Sequence, residues 1–263
     1  MRSALPLALC AAAGCDLAFG LDGREPPDAP PGADAPPGAD APMQCTMFND
    51  TVTANADTML MRETDGNCNP SIRLGTYNNV NLNQQRGGAG SRLLLRFTLS
   101  NDMLAALQPG GGFVGATLTI PLKPAACPGP CPSTPVDFSI FVAHSDWHEG
   151  QESGHVGTAW CARMQTAQIQ VPWEVPGADG ANDRSMMSLA DVSLSAQQAD
   201  ADDLVLSATP SAVALEEARS WLLGSQLSLI LIPEPTSTGI LYTKAREDAI
   251  NGGGAQLTIT SCR

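Results

Sequence analysis

Three histidines and three carboxylates share one short stretch: His144, Asp146, His148, Glu149, Glu152 and His155. Imidazole and carboxylate are common zinc ligands, so His144, His148 and His155 are the candidate metal ligands of this chain. Their spacing is not that of an HExxH helix. The stretch follows a predicted strand and contains glycines, so a helix aiming His144 and His148 at one ion is not expected, and a surface loop is the prevailing reading. Asp200, Asp202 and Asp203 carry part of a calcium-loop pattern but lack its glycine and its terminal glutamate, and read as a solvated acidic loop. A structural calcium ion elsewhere has no motif behind it, so no cofactor is expected. No Gly-x-Ser-x-Gly occurs, and no Cys, His and Asx set remains once the cysteines are assigned to bridges, so catalysis is not expected.

Binding chemistry is better represented. A flat indole complements the C–H face of a pyranose, and Trp147, Trp160, Trp173 and Tyr77 are the residues that could form such a platform. Core packing competes for each of them. Trp221 lies on the apolar face of a predicted helix, whereas Trp173, between Pro172 and Glu174 and close to a Pro-Gly turn, is expected to be the most exposed. Arg62, Arg92, Arg96 and Arg246 stand out among only 14 basic residues. Guanidinium pairs bidentately with carboxylates such as those of uronic acids, so Arg62, Arg96, Arg246 and Trp173 are the candidate ligand-binding residues. Internal pairing of Arg96 and Arg246 with Asp57, Glu63 or Glu247 is the competing reading.

Cys10 and Cys15 fall in the N-terminal segment, leaving Cys45, Cys68, Cys127, Cys131, Cys161 and Cys262. An even number in an exported chain reads as a disulfide framework, although spacing alone leaves many connectivities open. Cys127 and Cys131 flank a Pro-Gly-Pro turn, and Cys45 and Cys262 mark the two ends of the folded part, so these are the expected pairs; Cys68 then falls to Cys161. Zinc is the alternative for the first pair, but no second pair of matching spacing accompanies it.

These residues must be positioned by a chain of 263 residues with 25 glycines, 21 prolines, 16% charged and 5% aromatic side chains, a composition of strands and turns rather than long helices. The net charge of −13 repels nucleic acid and anionic bilayers and names no substrate. At the start, Arg2, an apolar run, and Ala12, Ala13 and Gly14 precede Cys15, an arrangement that resembles a bacterial lipobox. The resemblance implies cleavage after Gly14, lipidation of Cys15 and a membrane anchor, with 1–14 as signal peptide. Residues 15–44, with their repeated Pro-Pro-Gly-Ala-Asp-Ala unit, have almost nothing to bury and are expected to be a disordered tether. About 28 residues at up to ~3.1 Å each span as much as ~85 Å. No other apolar run approaches the length of a spanning helix.

From Cys45 to Arg263 the chain reads as one domain. Strands are expected at 91–99, 113–122, 136–142, 227–232 and 256–260, where β-branched and other apolar residues run between turn clusters. The Gly-rich stretch 87–92 precedes a strand and reads as a hairpin turn. Short helices are expected at 101–107 and 210–223, the second with Pro210 at its first position, Ala214, Ala218, Trp221 and Leu222 on one face, and Gly224 as terminator. The fold class expected is all-β, a jelly-roll-like β-sandwich with one or two short helices.

The order of short motifs, Ala56-Asp57-Thr58 with Arg62, then RLLLRFTLS at 92–100, GATLTI at 115–120, SDWHEG at 145–150 and YTKARED at 242–248, resembles the DNRLRE-domain family of secreted bacterial and archaeal proteins. The match spans residues 52–261; Trp160-Cys161-Ala162 stands where that family has a Trp-Asn-Cys-like segment, and Ala245 precedes Arg246 where it has Ser. The resemblance implies a β-sandwich used for carbohydrate binding or surface adhesion, without catalytic activity, and places Arg62, Arg96, Arg246, Trp147 and Trp160 in or near family motifs. The expectation is a non-catalytic module tethered to the cell envelope, at an outer membrane or cell surface, whose partner is a polysaccharide, acidic polymers such as uronates included, or alternatively an envelope protein; a metal-dependent hydrolase, the least favoured reading, would require His144, His148 and His155 to converge.

Overall fold

The computed structural model describes residues 45–62, 79–84, 90–122, 136–149, 157–166, 168–195, 203–235, 237, 240–244 and 254–263, all within the unit Cys45–Arg263. Their order is β1 (Met47–Thr53), β2 (Ala56–Met61), β3 (Asn79–Gln84), β4 (Gly90–Thr98), α1 (Asn101–Leu107), β5 (Phe113–Pro121), β6 (Val136–Ala143), β7 (Gly157–Ala159), β8 (Ala162–Gln165), β9 (Gln170–Pro172), β10 (Ala190–Leu194), β11 (Asp203–Ala208), α2 (Ala212–Ser220), β12 (Gln226–Pro233), β13 (Ile240–Lys244) and β14 (Gln256–Cys262). One sheet runs β1-β14-β5-β11. The larger runs β10-β6-β12-β4-β3-β13 with β2 also on β4, and β7-β8-β9 form a small third sheet. The two main sheets are antiparallel throughout.

Taking β1, β4, β5, β6, β10, β11, β12 and β14 as successive strands, the smaller sheet has the order first, eighth, third, sixth, and its partner second, seventh, fourth, fifth. That is the jelly-roll order, so the expected fold class is the observed one. The chain changes sheets at corners such as Ala54-Asn55, where Ala54 N donates to Ala255 O in one sheet and Asn55 N to Arg96 O in the other.

Side-chain alternation explains which residues fill the sandwich. Leu93, Leu95 and Phe97 of β4, Phe138, Ile140 and Val142 of β6, and Leu229 and Leu231 of β12 meet Leu118, Ile120, Leu257 and Ile259 of the opposite sheet. The larger sheet is covered on its other face as well. There Ala56, Leu60, Leu94, Ala143 and Ile230 pack with Trp147, Trp173 and Ala178, and with the partly buried Phe141, Trp160 and Ile232. The central strands of this sheet are therefore apolar on both faces, which is why they read as near-continuous apolar runs. The smaller sheet has polar outer positions, and apolar and hydroxyl side chains alternate over Ala116–Ile120 of β5 and Leu257–Thr260 of β14.

Ser100 caps α1 by accepting from Met103 N, and Met103, Ala106 and Leu107 are buried beneath it. Helix α2 is shorter than the sequence suggests. Ser211 is its N-cap, accepting from Ala214 N, so Pro210 lies outside the helix rather than at its first turn. At the other end Trp221 is the C-cap, and Gly224, with φ of 63°, belongs to the tight turn that closes Leu223 against Gln226 instead of ending the helix. Strands β3 and β4 are antiparallel with Gln84 opposite Gly90, in keeping with the expected hairpin, whose tip lies outside the described residues. Among the described residues β10 and β11 are the outermost strands of their sheets, and a cavity of about 410 Å³ is lined by both, by α2 and by the core strands between them.

Candidate functional site

Arg92 and Arg96, four residues apart on β4, leave the same face of the larger sheet as Leu94. The loop after β6 closes over Arg96: its Nη1 donates to Ser145 O at 3.2 Å and Trp147 O at 2.7 Å, and its guanidinium lies 4.8 Å from the Trp147 ring centroid. Trp147 is 1% exposed and donates from Nε1 to Ser228 Oγ on β12 at 3.0 Å. Asp57 N donates to Glu149 Oε1 at 2.9 Å, so both ends of this loop segment are fastened to the sheet.

A second clasp forms at Arg92, which donates from Nη1 to Gly177 O at 2.5 Å, pairs with Asp179 at 3.4 Å and lies 5.0 Å from the Trp160 ring. Arg184 stacks on Phe141 at 4.1 Å and donates from Nε and Nη2 to the other Asp179 oxygen at 3.1 and 2.8 Å. The buried Asp183 carboxylate accepts from Glu174, Val175 and Gly180 backbone N–H groups and holds the turn that carries these residues. Burial pulls Arg92 and Arg96 below the usual guanidinium value, opposed by Asp179 and Glu149 respectively. They stay charged at any ordinary pH. For Asp179, burial alone would raise the carboxyl, but the hydrogen bond from Arg184 and the Arg92 charge outweigh it and hold it below its usual value.

This layer corrects part of the sequence reading. Trp173, expected to be exposed, is 3% exposed. It directly follows β9, which pairs with β8, and its indole donates to Ala159 O at 3.0 Å. Arg96 is engaged internally by main-chain carbonyls rather than by the carboxylates anticipated. Arg62 is exposed at the end of β2, and Arg246 lies outside the described residues, as does Tyr77. Arg62, Arg96 and Trp173 are therefore not gathered on one accessible surface.

Residues 144–149, which follow β6, are irregular. His144 Nδ1 lies 2.8 Å from Asp146 Oδ1, which Arg163 Nη1 also approaches at 3.0 Å, and the His144 ring meets Trp221 edge-on. His148 donates its backbone N–H to Arg163 O, and His155 lies outside the described residues. Among the described residues no group of three His, Cys, Asp or Glu side chains is placed to hold a metal. Cys45 and Cys262 form the expected disulfide, with a Cα–Cα distance of 5.3 Å. Cys161 is also disulfide-bonded, while Cys15, Cys68, Cys127 and Cys131 lie outside the described residues.

The open face of the smaller sheet carries residues that the sequence reading did not single out. Opposite the inward Leu257, Ile259, Leu118 and Ile120, the outward positions are Asn49, Thr51 and Thr53 on β1, Gln256, Thr258 and Thr260 on β14, Gly115, Thr117 and Thr119 on β5, and Val205 and Ser207 on β11. The register aligns Thr51, Thr258, Thr117 and Ser207 in one row across all four strands. Thr51 and Thr258 hydroxyls are 2.8 Å apart, those of Thr117 and Ser207 3.1 Å, and Thr260 donates to Asn49 Oδ1 at 2.8 Å. Rows repeat at roughly 4.8 Å across strands and roughly 6.7 Å along them. These central positions are uncharged in a chain of net charge −13, and on the same parity Met47 of β1 and Asp203 of β11 stand at the margins of the sheet. The available signal was Thr-x-Thr at 51–53, 117–119 and 258–260, three times in strand context.

The chain matches no protein-family model, and no curated protein matches it.

Proposed function

We propose that this chain is a non-catalytic binding module, exported to an oxidising compartment and lipid-tethered there, which binds polysaccharide through the open face of its smaller sheet. The observation that carries the reading is the uncharged grid of threonine, serine, asparagine and glutamine side chains across the middle of that face, with Val205 beside it. Hydroxyls and amides both donate and accept, as sugar hydroxyls do, and the threonine methyls offer apolar contact to the C–H faces of a sugar ring. An uncharged surface binds without stripping water from ions. The reading therefore favours a neutral polymer over a uronate. The Cys45–Cys262 disulfide supports an oxidising location, the lipobox-like start supports the tether, and the motifs shared with the DNRLRE-domain family point the same way.

The test is co-sedimentation and affinity electrophoresis with neutral glucans, chitin and a uronic-acid polymer, with and without EDTA. Retention by a neutral polymer that ignores EDTA and falls at least tenfold in Thr258→Lys and Thr117→Lys supports the reading. Retention by the uronate alone, lost in Arg62→Gln, would return the site to the arginines. Absence of binding to any glycan would overturn it in favour of contact with an envelope protein, for which the exposed Met186, Met187 and Val213 beside α2 are the apolar surface to examine.

A further inference from the structure

The geometry points to a second, independent site: we propose that the cavity between the two sheets takes a single fatty-acyl chain, with its carboxylate at Arg219. This inference goes beyond the polysaccharide reading and uses a different part of the molecule. The cavity, about 410 Å³, is lined from β10, β11 and α2 and reaches Leu118, Ile140, Leu229 and Leu257 in the middle of the sandwich, with Leu215 and Leu222 of the lining at and beyond α2. That size lies within the range of small-ligand sites.

The walls decide the ligand class. Depth is lined by aliphatic side chains, so a sugar, nucleotide or peptide would leave its polar groups unpaired inside. An alkyl chain has none to satisfy. The polar residues of the lining are Asp191, Ser193, Ser207 and Arg219; Ser207 turns its hydroxyl to the open face, where it meets Thr117, and Asp191 and Ser193 alternate outward from Ala190, Val192 and Leu194, so these three meet the cavity with backbone rather than with polar side chains. Arg219 is the one basic residue among them. Its Nε is held by Leu107 O, which fixes the guanidinium at this position, and its Nη1 pairs with Glu216, whose side chain is 71% exposed. A surface pair of that kind is weak, so a ligand carboxylate can take the place of Glu216. Asp191 is occupied by the Ser139 hydroxyl at 2.7 Å, which leaves Arg219 as the headgroup determinant.

The experiment is calorimetric titration of the full, delipidated chain, disulfide oxidised, with dodecanoate and with dodecanol below their micellar concentrations. Expected is one-to-one binding of dodecanoate, at least tenfold tighter than dodecanol. Ala190→Leu, which narrows the cavity from β10, should weaken dodecanoate at least tenfold without lowering the thermal midpoint; Ala116→Leu on β5 serves if the first variant does not fold. In Arg219→Gln the preference for the acid over the alcohol should disappear. No binding of either compound, or binding that both narrowing variants leave unchanged, overturns the site. Equal affinity for acid and alcohol in the unaltered chain overturns the role of Arg219. Polysaccharide retention, read on the same variants, should be unaffected, so the two proposals fail separately.

Discussion

Arg96 sends one guanidinium nitrogen to two carbonyls of the loop that crosses above it and lays its plane against Trp147. Lysine has the charge without the planar fork, so Arg96→Lys should lose about 1–3 kcal/mol in chemical denaturation while leaving polysaccharide binding intact. Asp179 makes a pH-dependent contribution of predictable sign. Its carboxyl is held below the usual value by Arg184 and Arg92 despite burial, so the stabilisation is complete above the unfolded value of ~3.9 and disappears as pH falls through the lower folded value. Asp179→Asn should therefore be less stable than the parent near neutral pH, with the difference shrinking as pH falls below the unfolded value of ~3.9, as a series of urea midpoints across that range would reveal. An arginine in a strand looks the same in sequence whether it faces a sugar or an indole; the Trp147 that decides the matter is 51 residues away.

Among the elements, those whose residues alternate were legible and those covered twice were legible as strands but not as surfaces. Strands β4, β5, β6, β12 and β14 fall where apolar runs and turn residues place them, within a residue or two. The run Leu93-Leu94-Leu95 gave no sign of which leucine faces which layer, because both layers are dry. Helix α2 starts two residues after Pro210 because the Ser211 hydroxyl is the better partner for the first free N–H groups. Ser211→Ala should cost about 1 kcal/mol by denaturant midpoint. The link between α1 and β5 depends on Gly112, whose φ is +74° and whose added Cβ would sit 2.0 Å from Cys262 O. Since Cys262 N also donates to Gly112 O, Gly112→Ala should lose roughly 2 kcal/mol or more and loosen the end of β14, seen as faster amide exchange at Cys262.

Over the whole domain, the Cys45–Cys262 bridge joins the residues on either side of a separation of 217 and fastens β1 to β14 at the margin of the smaller sheet. Cys45→Ser with Cys262→Ser should cost about 2–5 kcal/mol by loss of the constraint on the unfolded chain, with β1 losing exchange protection first. The all-β class and the pairing of the cysteines at the two ends of the domain follow from local information: period-two alternation, turn residues and cysteine position are read over a few residues and need no knowledge of neighbours. The tertiary structure alone decided that one sheet is covered on both faces, that Trp173 and Arg96 lie inside that cover, and that the threonines of three distant strands share one row. Those outcomes depend on register between strands up to 211 residues apart, and a single-residue shift in any pairing would have turned the same side chains to the opposite face.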